Sequence, residues 1–176
     1  MKNLFLVPFL IVFIAFSGCE AVDELKLQNI LVPGKMTFNV VSTDTNQAVK
    51  NDTIDLSNNP DFMNNKSKIE SLEVKDILFN VTRLDSNSAD TITDGKLEVL
   101  NPVTGTFQTL TSYNKKILKR NWEEKVMYNS DIANLIINSV KNSPYRAICR
   151  YTATMNKKPV DMDIEFTVRF NLKVKI

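Results

Sequence analysis

The chain has 176 residues, with 22 basic and 20 acidic side chains, a formal net charge of +2, no histidine, two cysteines and four glycines. Near-neutral charge with both signs interspersed leaves no electrostatic footprint for nucleic acid. The lack of histidine removes the usual general base of nucleophilic triads and the commonest metal ligand, and four glycines are too few for a glycine-rich cofactor loop.

The first element is a short apolar segment. Met1-Lys2-Asn3 is followed by thirteen largely apolar residues, Leu4 to Phe16, and then Ser17-Gly18-Cys19. A positive start, an apolar run and small residues at its end read as an export signal. The run is shorter than the roughly 20 apolar residues that span a bilayer, and Pro8 inside it argues against a buried helix. Phe16-Ser17-Gly18-Cys19 resembles the lipobox of bacterial lipoproteins. The resemblance implies that residues 1–18 are removed and that Cys19 becomes the acylated first residue, held in a membrane by its lipid. Glu20, rather than Asp, after Cys19 implies the outer membrane, and Asp23 and Glu24 look like a surface-export signal. The mature chain would then have 158 residues with 21 basic and 20 acidic side chains, enough for one domain with a core. Cys149 would be left without an intrachain disulfide partner, which points to a buried thiol.

Residues 19–34 read as a tether and a candidate first strand, and residues 35–176 as a single β-rich domain. Met36, Phe38 and Val40 alternate with Thr37, Asn39 and Val41, the pattern of a half-buried strand. Ser42 to Lys50 is loop-like, and Thr53 to Leu56 a short strand. Asn59-Pro60-Asp61 marks a short helix, with Asn as cap and Pro at the first helical position. Leu72 to Leu84 is extended and changes phase near Lys75-Asp76, which predicts a bulge. Asp85 to Asp94 is a polar turn region. Strands follow around Leu97 and Val99 and, after the turn Pro102 to Gly105, over Thr106 to Leu110. Tyr113 to Asn129 fits neither period.

The clearest helix covers 131–141. Ser130 can cap it, Asp131 suits its positive end and Pro144 prevents continuation, while Ile132, Leu135, Ile136 and Val140 share a face. Tyr145 to Met155 alternates. From Met162 to Ile176 every even position is apolar and every odd one polar, so one face is dry and one wet. A turn centred on Lys157-Lys158 would pair these two strands as a hairpin, with Tyr151 opposite Ile164, Cys149 opposite Phe166 and Arg150 opposite Glu165. That register also sets Arg146 opposite Arg169, which repels unless a carboxylate lies nearby. The helix would cover the small residues Ala147, Cys149 and Ala153. The expected fold is mainly β: an antiparallel sandwich of seven or eight strands with one packed helix, or alternatively an α+β open sheet.

Three features could carry chemistry. Asp161, Asp163 and Glu165 project from one face at two-residue spacing, but three ligands along a straight strand cannot surround a cation, and no metal site is assigned. Lys115, Lys116, Lys119 and Arg120 crowd beside Trp122, a candidate patch for phosphate, sulfated glycan or lipid headgroups. The competing reading buries Trp122 and lets Glu123-Glu124 neutralise the cations. Asp52-Thr53-Ile54 and Asp90-Thr91-Ile92 resemble a sequon of periplasmic O-glycosylation, which would place glycans on Thr53 and Thr91. No nucleophile, phosphate-loop or cofactor motif occurs. The expected function is that of a lipid-anchored, non-enzymatic binding or structural module at the outer membrane or cell surface, with a glycan or an outer-membrane protein as partner. The alternatives are an adhesin or assembly subunit completed by strand exchange, and a carboxylate-based hydrolase of envelope polymers.

Overall fold

The computed structural model describes residues 26–176. Cys19 and the whole lipobox-like segment therefore lie outside the described residues. Eight strands and two α-helices follow in order: β1 (Leu27–Ser42), β2 (Gln47–Asp55), α1 (Pro60–Asn65), β3 (Ile69–Leu84), β4 (Thr91–Leu100), β5 (Phe107–Ile117), β6 (Glu123–Val126), α2 (Ser130–Lys141), β7 (Arg146–Met155) and β8 (Val160–Lys175). They form two antiparallel four-stranded sheets, ordered β1-β8-β3-β6 and β2-β7-β4-β5. The two inner faces pack on one another, so the molecule is a β-sandwich, and the open-sheet alternative is set aside. Successive strands cross from sheet to sheet everywhere except between β4 and β5. This strand order is that of an eight-stranded jelly roll.

The alternation of β8 has a different consequence from the one the sequence implied. β8 pairs with β1 and β3, while β7 pairs with β2 and β4 in the other sheet, so the two strands form no hairpin. Dry faces of period two can be coplanar in one sheet or can oppose each other across a sandwich, and alternation alone does not distinguish these. The wet faces do. A hairpin would set Arg146 against Arg169, whereas here Arg146 meets Asp55 at 2.8 Å and Arg169 makes two bonds to Asp76. Arg150 meets Glu98 rather than Glu165, and Glu165 goes to Lys35.

The core is built around an aromatic chain across the interior. Phe166 lies 5.3 Å from Phe79, 5.8 Å from Tyr151 and 6.0 Å from Phe38 between ring centroids, and Phe79 continues to Tyr113 at 5.7 Å. These rings fill much of the interior opposite the small residues of β7. Cys149 is fully buried in this core, and burial pushes its thiol up to about 12. The Tyr113 and Tyr151 hydroxyls approach each other without reaching hydrogen-bond geometry, and neither has another partner among the described residues.

Local chemistry explains the elements. In β3 the register against β8 shifts between Val74 and Asp76, at the expected phase change. Lys75 is the additional residue, which lets Leu72 and Val74 face inward ahead of Ile77, Phe79 and Val81. α1 is capped by the Asn59 side chain, which accepts from Phe62 N–H at 3.1 Å, and Phe62 is buried. α2 is capped by Asn129 rather than Ser130, its carboxamide oxygen accepting from the Asp131 and Ile132 N–H groups. α2 packs against β3, β4, β5 and β7 at one end of the sandwich. β2 begins eight residues after Asn39, at Gln47, inside the stretch read as loop. It is an edge strand with Val49, Lys50 and Asn51 all exposed, so its apolar periodicity is weak. β1 begins at Leu27, so Leu27 to Gly34 belong to the sandwich body.

Candidate functional site

The direction of the strands gives the sandwich two unlike ends. Leu27 and Lys175 pair at one of them, where α1, the turn 101–106 and α2 also lie. The other end gathers the connections 43–46, 85–90, 118–122 and 156–159. β1 runs the length between them in 16 residues, a span of about 50 Å at roughly 3.3 Å per residue. The loops at the far end are tied together through the backbone. Ala89 N–H donates to Pro159 C=O at 2.9 Å, Leu118 N–H to Asp90 C=O at 2.7 Å, and Asn156 N–H to Thr91 C=O at 2.9 Å.

The basic and aromatic residues picked out from the sequence come together at this far end. Lys115 and Lys116 close β5, and Lys119, Arg120 and Trp122 form the turn into β6. The turn is pinned on both sides, by Leu118 to Asp90 and by Asn121 N–H to Val81 C=O at 2.8 Å. Lys115 and Asn121 hold positive φ angles of 53° and 58°, sparsely populated for residues other than glycine. Those two angles break any regular period, which is why the segment 113–129 could not be read as one element.

Trp122 is not in the core: it is 44% exposed, with the Lys119 ammonium 5.1 Å from its ring. Lys116 separates from the other cations. Its ammonium meets Glu124 at 2.7 Å and lies over the rings of Phe79 and Tyr113. Local neutralisation by Glu124 is therefore consumed by Lys116, while Lys115, Lys119 and Arg120 are exposed and make no salt bridge among the described residues. Asp90 accepts from Asn156 and Thr91, which hold its carboxyl below the usual range. Ile117, 61% exposed, joins the patch. Adjacent Ile117 and Leu118 cannot both point inward from one strand, and Ile117 is the one that faces solvent.

A furrow runs along the flank between β5 and β6. One hollow of about 220 Å³ is lined by Thr111, Ser112, Tyr113 and the segment Glu124–Met127. It shares Thr111, Ser112 and Met127 with a second of about 380 Å³ that reaches Thr109 and Asn129.

The three acids of β8 are not brought together as a metal or catalytic site. The Arg83 guanidinium bridges Asp161 and Asp163, with Nε 2.9 Å from Asp163, and Asn39 also donates to Asp163 at 2.7 Å. These bonds hold the Asp163 carboxyl below its ordinary range, Arg83 being the main cause. Glu165 lies 3.2 Å from Lys35. Among the described residues no group of three or more acids or cysteines is placed to hold a metal ion. Of the two candidate glycan acceptors, Thr53 is half-buried within edge strand β2. Thr91 opens β4 at the far end, its hydroxyl donating to Asp90 at 3.0 Å.

The sheet edges bear on strand exchange. β1 carries Pro33 and Lys35, and its Thr37 N–H donates to the Asp52 carboxylate of β2 at 2.7 Å. At the centre of β5, Leu110 C=O accepts from Asn129 N–H and the Thr111 hydroxyl donates to Met127 C=O. Prolines, charges and side-chain plugs of this kind guard edges against further pairing.

No family model matches the chain, and no curated protein matches it. Among solved structures it is similar to that of Desmodium yellow mottle tymovirus, at 10% identity and a TM-score of 0.32, covering 85% of this chain and 90% of the other. The decameric BFDV capsid protein gives 10% identity and a TM-score of 0.38 over 85% and 98%. Turnip yellow mosaic virus gives 8% and 0.32 over 85% and 96%. At these TM-scores the likeness carries no functional information.

Proposed function

We propose that this protein is a non-enzymatic binding module anchored in the outer membrane through lipid on Cys19, with its binding surface at the end of the sandwich opposite the anchor. The observation that carries the reading is the course of β1. It leaves the N-terminal side at Leu27 and reaches the loop-bearing end only at Ser42, so the patch at Trp122 stands well away from the anchored end. Asn80 pairs with both Glu123 and Glu165, and Glu165 pairs with Thr37. Trp122 is therefore about ten strand residues from Leu27, or about 35 Å. A jelly roll hosts many activities, so the fold itself gives no function. Two observations favour binding over hydrolysis and strand exchange. The acids of β8 are occupied by Arg83 and Lys35, and the long edges are guarded.

The test is the intact mass of the mature protein extracted from membranes. The expected result is a chain starting at Cys19 and carrying two or three acyl groups. An unacylated chain, or one starting elsewhere, would overturn the anchored reading.

A further inference from the structure

We propose that the far-end patch of Lys115, Lys119, Arg120, Ile117 and Trp122 binds an acidic polysaccharide. The proposal rests on the binding-module reading and names its ligand class. Lys115, Lys119 and Arg120 supply exposed cations that make no salt bridge among the described residues, and cations of this kind recognise carboxylate or sulfate groups. Trp122 and Ile117 add exposed apolar surface close to them in the chain, suited to the C–H faces of sugar rings. The turn is set before any ligand arrives, by its bonds to Asp90 and Val81, which lowers the ordering cost of binding. The furrow along β5 and β6 lies on the same flank of the sandwich, and its exposed Thr109 and Ser112 present hydroxyls along it. A long, polyhydroxylated polyanion matches all of these features, whereas a lone phosphate uses only the cations. A lipid headgroup of the protein's own membrane lies at the wrong end of the sandwich.

Trp122 is the only tryptophan in the chain, so intrinsic emission reports from the patch itself. The full-length protein in nonionic detergent micelles is titrated with polygalacturonate, with neutral dextran, and in mixed micelles one-third phosphatidylglycerol. No anchor is needed in this format, so the result stands apart from the acylation of Cys19. Polygalacturonate is expected to shift the emission saturably, with affinity falling at least tenfold as added salt screens the cations. Lys119→Gln with Arg120→Gln is expected to weaken binding at least tenfold. Lys173→Gln, at the opposite end, leaves it unchanged, and near-UV circular dichroism verifies folding of each variant. Neutral dextran gives no shift. No response to polygalacturonate, an equal response in the double variant, or an equal response to dextran would overturn the proposal. A response to phosphatidylglycerol without one to polygalacturonate would replace the polysaccharide with a lipid headgroup.

Discussion

Phe166→Ala is expected to lower the unfolding free energy by about 3–5 kcal/mol, the cost of a large cavity in a close-packed core. Phe166 is fully buried at the centre of β8, and its ring touches Phe38 of β1, Phe79 of β3 and Tyr151 of β7. It therefore joins three strands of one sheet to the middle of the other. Backbone ladders restrain the surrounding strands on both sides, so the cavity cannot close by a local shift. Urea titration reads the effect as a lower midpoint at unchanged slope. Met127→Ala, at a side chain 90% exposed, is the control and should stay within about 0.5 kcal/mol. A loss below about 1 kcal/mol for Phe166→Ala would mean that the sheets are not packed through this residue.

Asp76→Ala is expected to cost about 2–4 kcal/mol at neutral pH, because it strands Arg169 beside a buried position. The Asp76 side chain is 4% exposed and Arg169 34%, so the loss should fall toward the lower part of that range. Two bonds from the Arg169 guanidinium are the main reason the Asp76 carboxyl sits below its ordinary value of 3.8. Glu98 is also held down, from 4.5. Burial raises it, but bonds from Arg150 and Lys96 more than offset this. The sign is fixed by linkage. A carboxyl whose folded value lies below its unfolded one contributes stability above the unfolded value and loses it as pH falls through the folded value. Stability should therefore fall below about pH 4, and the fall should be shallower in Asp76→Ala. With no histidine in the chain, stability between pH 5 and 8 should be nearly flat. The buried Cys149 thiol, pushed up to about 12, works in the opposite sense, and its contribution is lost as pH rises above 9. Denaturation midpoints between pH 2 and 11 check all three limbs. An Asp76→Ala loss below 0.5 kcal/mol, with an unchanged acid limb, would contradict the pairing.

Much of the strand content was legible in the sequence because each dry face alternates with period two, most clearly in β8. The bulge at Lys75 was legible because the apolar residues change parity there. The pairing of β7 with β8 was misread for a definite reason: alternation fixes which side chains point inward but not whether two inward faces share a sheet. The repulsive Arg146–Arg169 pair was the available sign, since each arginine finds its own acid only when the strands separate. Residues 113–129 were opaque because positive φ at Lys115 and Asn121 depends on tertiary anchoring to Val81 and Asp90. The cations of the patch were legible as a cluster. Their partition was not, because Lys116 turns to Glu124 and leaves the others free only in three dimensions.

The most direct test of the account is the depth of Trp122 relative to the bilayer, measured on the full-length protein purified from membranes and reconstituted into vesicles containing brominated phospholipid. Trp122 sits about 35 Å along the sandwich from the end that carries the chain toward Cys19. The expected result is emission unchanged by bromine in the acyl chains, together with full quenching by acrylamide added outside. Strong quenching by the brominated lipid would place the patch on the membrane and contradict a binding surface that faces away from it.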